Sequence, residues 1–197
     1  MQTAKCVVLG DAGVGKTSLL IRYTAHILPV EYIPRVFDHC SDTVIVDDTP
    51  VKQSLWDTAE EESLHRRQPL PPQTDVFLIL FSLGSPSSLN NISRKWLKDI
   101  ARCCPGTPFL LVGSKADLLN NPLVRESYAE QDIEFVCQEQ APQFAERIGA
   151  AGYVECSALT GDGVAEVFEE AIRIVLQSET KKKKSKTRFG SLTGRLR

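Results

Sequence analysis

The chain of 197 residues has no long hydrophobic run. Its longest apolar stretch, Val76 to Phe81, falls far short of the roughly 20 residues that cross a bilayer, which argues against a membrane-spanning helix. Its six cysteines (Cys6, Cys40, Cys103, Cys104, Cys137, Cys156) show no C-x-x-C spacing, and the three histidines are scattered, so neither a disulfide framework nor a zinc site is expected. Cys6 and Cys156 each lie beside a strand-like run and read as small buried hydrophobes. No basic and apolar leader precedes Cys6-Val7-Val8-Leu9, and the expectation is a cytoplasmic chain. No cysteine follows Cys156, so a prenylated C-terminal box is not expected either.

Acidic residues are also missing from Lys181 onward, where eight of the 23 basic residues lie. All 25 acidic residues therefore sit on a body that holds the other 15 basic ones. An acidic body excludes nucleic acid as a dedicated target. The segment Lys181–Arg188 suits a weak, salt-sensitive contact with anionic lipid at the inner membrane surface, and its Lys181 to Lys186 part also fits a nuclear import signal. The apolar content collapses after Gln177, which predicts a folded domain over residues 1–178 and a disordered basic tail over 179–197.

Short apolar runs alternate with helical patterns: Lys5 to Leu9 then Thr17 to Ala25, Val76 to Ser82 then Ser87 to Cys103, Pro108 to Gly113, and Tyr153 to Cys156 then Val164 to Leu176. This is the rhythm of an α/β fold, a mostly parallel sheet covered by helices on both faces. Thr43 to Val46 and Val51 to Trp56 flank Asp47-Asp48-Thr49-Pro50 and predict one antiparallel edge hairpin, giving six strands. Ser85-Pro86 and Asp162 read as helix starts.

Gly10-Asp11-Ala12-Gly13-Val14-Gly15-Lys16-Thr17 matches G-x-x-x-x-G-K-[ST] between a predicted strand and a predicted helix. Such a loop converges backbone N–H groups on phosphates, and the helix N-terminus adds partial positive charge. Ala12, Gly13, Val14, Gly15, Lys16, Thr17 and Ser18 are thus candidate nucleotide-binding residues, Lys16 reaching the β- and γ-phosphates and Thr17 giving its hydroxyl to Mg²⁺. Ser114-Lys115-Ala116-Asp117 and Ser157-Ala158-Leu159 each follow an apolar strand, at the sheet edge where open α/β folds bind ligands. A carboxylate at Asp117 can accept from both N1–H and the 2-amino group of guanine, which adenine cannot offer.

Over about residues 3–178 the chain resembles a small GTPase of the Ras superfamily, within it the Rho/Rac family. The resemblance is carried by Tyr32-Ile33-Pro34, Val36-Phe37-Asp38, Leu55-Trp56-Asp57-Thr58-Ala59, Gln73-Thr74-Asp75-Val76-Phe77, Glu155-Cys156-Ser157-Ala158-Leu159 and a helical insert at about 120–136. It implies a P-loop GTPase fold, GTP or GDP with Mg²⁺ held by Thr17 and, through water, by Asp57. It also implies switch segments at 29–40 and 59–72, effectors bound around Tyr32 and Val36 to Cys40, exchange factors, GTPase-activating proteins, and signalling to the actin cytoskeleton.

Against that family, four positions near the γ-phosphate differ. Arg35 stands where a threonine ligates Mg²⁺, and arginine has only donors. Glu60 replaces a glycine whose N–H holds the γ-phosphate, Glu61 replaces the glutamine that orients the attacking water, and Ala12 replaces a glycine. Leu28 stands where an aromatic residue meets the base. Opposite charges about 4 Å apart attract by roughly 4 kcal/mol at an effective dielectric near 20, and like charges repel comparably. Arg35 then either pairs with Glu60, Glu61 or Glu62, or turns inward onto the phosphates, or is solvated. The expectation is a guanine-nucleotide-binding signalling protein in which Lys16 and Glu61 carry slow or absent hydrolysis. The alternative is a nucleotide-locked or nucleotide-free scaffold using the switch surface.

Overall fold

The computed structural model describes residues 2–28, 39–58, 70–137 and 139–190, with side chains up to Thr180. Six strands, β1 (Gln2–Gly10), β2 (Cys40–Val46), β3 (Thr49–Asp57), β4 (Val76–Ser82), β5 (Phe109–Ser114) and β6 (Gly152–Glu155), form one sheet in the order β2-β3-β1-β4-β5-β6. Only the β2–β3 pair is antiparallel. The mixed sheet expected from the alternating runs is therefore present.

The period of two along each strand divides the core. Ala4, Cys6 and Val8 of β1 and Val76, Leu78 and Leu80 of β4 face one way, and pack under α1 (Lys16–Ala25) and α6 (Val164–Gly190). Val7 and Leu9 with Phe77, Ile79 and Phe81 face the other way, under α2 (Pro86–Asn91), α3 (Leu97–Cys103) and α5 (Gln140–Ile148). β4 is buried along its whole length because both of its faces are covered. Cys6 and Cys156 lie in the first of these cores as the sequence predicts, and burial pushes each thiol up to about 12, so both stay neutral.

Three local expectations are corrected. The hairpin turn is Asp47-Asp48 alone, both at positive φ, as a two-residue turn matched to strand twist requires. Pro50 belongs to β3, opposite Ile45 and one residue before β3 begins to pair with β1 at Val51, where its missing N–H costs no bond to β1. The helix expected over Ser87–Cys103 contains a π turn, Ile92–Trp96, between α2 and α3. Asp162 does not cap α6: its carboxylate accepts from Thr160 Oγ1 at 2.6 Å, and the helix begins at Val164. α6 itself runs on to Gly190. The packed apolar face does end near Leu176, but no glycine or proline interrupts 164–189 and Lys, Glu, Gln and Arg dominate 177–188, so propensity carries the helix on.

The insert is a helix, α4 (Pro122–Glu130), capped by Asn121 through Leu123 N–H and Val124 N–H, and its last residues are not helical. α5 went unpredicted, although Ala141, Phe144, Ala145 and Ile148 follow helical spacing.

Phe168 of α6 is fully buried and stacks on Tyr23 of α1 with centroids 3.8 Å apart, joining the two helices that cover the first face. Phe168→Ala is expected to cost about 3–5 kcal/mol of stability, read as a lower urea midpoint; an unchanged midpoint would show that this ring contact carries nothing.

Candidate functional site

β1 ends at Gly10, and the chain turns away from the sheet at the carboxyl edge. Gly10 has φ 147, and a Cβ there would collide with the carbonyl oxygen of Leu80 on β4. Glycine is thus required by both conformation and space. The loop then passes through Gly13 and Gly15 at φ 75 and 98 before α1 begins at Lys16. Lys16 is 4% exposed, and its amine donates to the carbonyls of Gly10 at 2.6 Å and Asp11 at 3.0 Å. A buried ammonium needs such partners, and these hold it inside the loop. Ala12 and Gly13 are exposed, while Val14 is buried.

Next along the helix, Thr17 Oγ1 donates to Asp57 Oδ2 at 2.6 Å, across 40 residues of sequence. β3 lies beside β1 with Val8 opposite Asp57, which is what brings the carboxylate to the start of α1. A hydroxyl and a carboxylate oxygen so close together are the hard donors that Mg²⁺ takes, and the pair fits that ion.

Most of the residues expected from the sequence to meet the base come together on the other side of the loop. Val14, Gly15, Ser18, Ser114, Lys115, Asp117, Ala158 and Leu159 line one pocket, together with Leu19, Leu28 and Cys156. Lys115 takes a left-handed backbone (φ 59), a strained conformation for a residue with a side chain, and so turns the chain off the end of β5 into the short 3₁₀ helix Ala116–Asn120 that carries Asp117. Ser157 Oγ donates to Asp117 Oδ1 at 2.5 Å. Ser157 is therefore a positioning group behind Asp117 and does not line the pocket. Ser114 does more than line it: its hydroxyl lies 2.6 Å from Val14 O and 2.8 Å from Phe81 O, tying the phosphate loop to β4 and β5. The thiol of Cys156 is held neutral by burial and, secondly, by the Asp117 and Glu155 carboxylates.

Tyr32, Arg35, Val36, Phe37, Asp38, Glu60 and Glu61 lie outside the described residues. Next to them, His39 stacks on Trp56 at 5.3 Å, and Cys40 opens the edge strand β2. The sequence reading overlooked Asp11, Asn91 and Trp96: Asp11 Oδ2 accepts from Asn91 Nδ2 at 2.6 Å and Oδ1 from Trp96 Nε1 at 2.9 Å. Their only sequence signal was an acidic residue within a loop meant for anions.

A strand, a glycine loop closed on a buried lysine, and a hydroxyl–carboxylate pair at the helix start define a phosphate-loop nucleotide-binding domain. The family model of the Ras family matches residues 5–177, and the chain belongs to that family of small GTP-binding proteins. Membership of that family implies guanine nucleotide as the ligand. Among the described residues, no helix is long and apolar enough to cross a membrane.

Gly10→Ala is expected to abolish GDP binding in calorimetry and to lower the melting temperature, since the loop must move off Leu80. Binding within threefold of wild type would contradict the close approach as the loop's constraint.

Proposed function

We propose that this protein is a Rho/Rac-like member of the family. In this reading it holds GTP or GDP with Mg²⁺, presents an effector surface around Tyr32 and Val36 to Cys40, and hydrolyses GTP slowly or not at all. The observation that carries the reading is a contrast. The residues this reading assigns to guanine, to the inner phosphates and to the metal lie along one edge of the sheet, with Thr17 at 2.6 Å from Asp57 and Ser157 at 2.5 Å from Asp117. The sequence at the outermost phosphate instead carries Ala12, Arg35, Glu60 and Glu61.

Hydrolysis in this fold is attack of water on the γ-phosphorus, with GDP as leaving group. Lys16 would neutralise charge on the β- and γ-oxygens. Thr17 and, through water, Asp57 would hold Mg²⁺, which screens the same charge when bound. Glu61 retains an acceptor for the attacking water but lacks the amide donor. A glutamate at position 60 would bring a carboxylate where the family has a glycine N–H for the γ-phosphate, and arginine at position 35 has no oxygen to offer the metal. Arg35 paired with one of Glu60, Glu61 or Glu62 would link the two switch segments without the γ-phosphate.

Exchange factors and GTPase-activating proteins are the corresponding regulators. The basic run Lys181–Arg188, carried on the end of α6, would add a salt-sensitive contact with anionic membrane; nuclear import is the lesser reading of the same residues.

Three measurements test this. Chromatography of the nucleotide that copurifies, followed by single-turnover phosphate release, should give bound guanine nucleotide with slow or no release. Brisk unassisted release would sink impaired hydrolysis, and absence of any nucleotide would favour the scaffold alternative. Asp117→Asn should weaken GTP by about a hundredfold, because two charge-assisted bonds of about 1.5 kcal/mol or more are lost; unaltered GTP affinity would remove Asp117 from base recognition. Arg35→Thr and Glu60→Gly should restore Mg²⁺-dependent discrimination of GTP from GDP, and behaviour unchanged from wild type in both variants would defeat the linked-switch reading.

A further inference from the structure

An acidic side chain inside a phosphate loop opposes its own ligand unless its charge is bound elsewhere. Asp11 is such a residue, and both of its carboxylate oxygens are engaged from one helix, by Asn91 Nδ2 and Trp96 Nε1. Asn91 and Trp96 are five positions apart. An α-helix turns about 100° per residue, so positions five apart stand about 140° apart around its axis and cannot serve one carboxylate. The π turn Ile92–Trp96 removes the conflict: Leu97 N–H bonds to Ile92 O five residues back, which returns Trp96 to the side of Asn91. Trp96 is 5% exposed, packed in the core between the helix and the sheet, with the Lys95 amine 3.9 Å from its ring centroid. The same Asp11 presents its carbonyl oxygen to Lys16 Nζ at 3.0 Å and to Val14 N–H at 3.4 Å.

From this geometry we infer that Asn91 and Trp96 are positioning residues for the nucleotide's β-phosphate, acting through Asp11, and that the π turn exists to bring both donors to one carboxylate. The clamp draws the negative charge to the α2–α3 side of the loop and fixes the carbonyl that orients Lys16. It serves the phosphate end of the site only, since the guanine pocket is held separately by Ser114 and by Ser157 on Asp117. The inference rests on guanine nucleotide being the ligand.

Trp96→Phe retains an aromatic ring and deletes the donor; Asn91→Leu keeps the side-chain volume and deletes the other. GDP and GMP are titrated into the full chain and each variant by calorimetry, with thermal melting alongside. GDP carries the β-phosphate and GMP does not, so the clamp predicts about a tenfold loss of GDP affinity in each variant with GMP affinity held within twofold. Equal weakening of both nucleotides, or no change in either, overturns it. A second measurement uses the wild-type chain: the Trp96 indole N–H should be protected from hydrogen exchange in the GDP complex, and rapid exchange there overturns the clamp even if a variant does not fold. Wild-type protein that takes up no GDP would overturn the nucleotide reading and the clamp together, whereas GDP uptake with unaltered variants overturns the clamp alone.

Discussion

The phosphate loop runs from Gly10, the last residue of β1, to Lys16, the first of α1, and the residues between belong to neither element, so its shape is imposed by groups brought from elsewhere. Three such constraints act on seven residues. The carbonyl of Leu80 lies against Gly10 and sets where the chain leaves the sheet. The hydroxyl of Ser114 lies on Val14 O and fixes the end nearest the base. The carboxylate of Asp11 is gripped from the helix that follows β4. Each originates on β4, β5 or the chain between them, so the loop's geometry depends on the parallel pairing of β1 with β4 and β4 with β5.

That dependence accounts for the position of the most buried part of the molecule. β4 lies under helices on both faces and is buried throughout, and it delivers Leu80, Phe81 and Ser82 to the loop and its neighbours. A core strand that cannot shift makes a firm reference for the backbone groups that hold a ligand, because close-packed interiors resist small displacements. The edge hairpin is held differently. β2 is mostly exposed and Ile45 is 74% accessible, and its turn is fastened to α6 through Arg173 on Asp47 at 3.1 Å, an exposed pair of small energetic weight.

Much of this was legible in the residues because the signals were local. Alternating apolar runs with intervening helical spacing define the sheet and its two covering layers, and G-x-x-x-x-G-K-T is contiguous, so its place after β1 follows directly. Asp57 and Ser157 are different: the family resemblance named both, but nothing near them in sequence announces a partner, and their contacts appear only when β3 sets Asp57 beside Thr17 and when the loop after β6 brings Ser157 to Asp117. The π turn was illegible for a related reason. Ser87 to Cys103 satisfies helical spacing at Leu89, Ile92, Trp96 and Ile100, and the extra residue per turn is selected by a carboxylate some eighty positions earlier. At the end of α6, loss of apolar residues marks the end of packing, while helical propensity carries the backbone on to Gly190.

The site is thus built from two differently supported halves. On the base side, Asp117 is positioned by a strained Lys115 backbone and a short bond from Ser157, and the pocket wall includes a neutral Cys156 thiol and the half-open Leu159. On the phosphate side, a buried lysine is satisfied by the carbonyls of the loop it will lend to a ligand. Those carbonyl bonds keep the ammonium from being an isolated buried charge, so the loop holds its curvature through the same contacts that position Lys16 for an incoming phosphate. Both halves converge on Val14, whose carbonyl answers to Ser114 and whose N–H answers to Asp11 O. Val14 is thus where the two halves meet along the carboxyl edge of β1, β4 and β5, while each keeps its own support, Ser157 behind Asp117 on one side and Asn91 and Trp96 on Asp11 on the other.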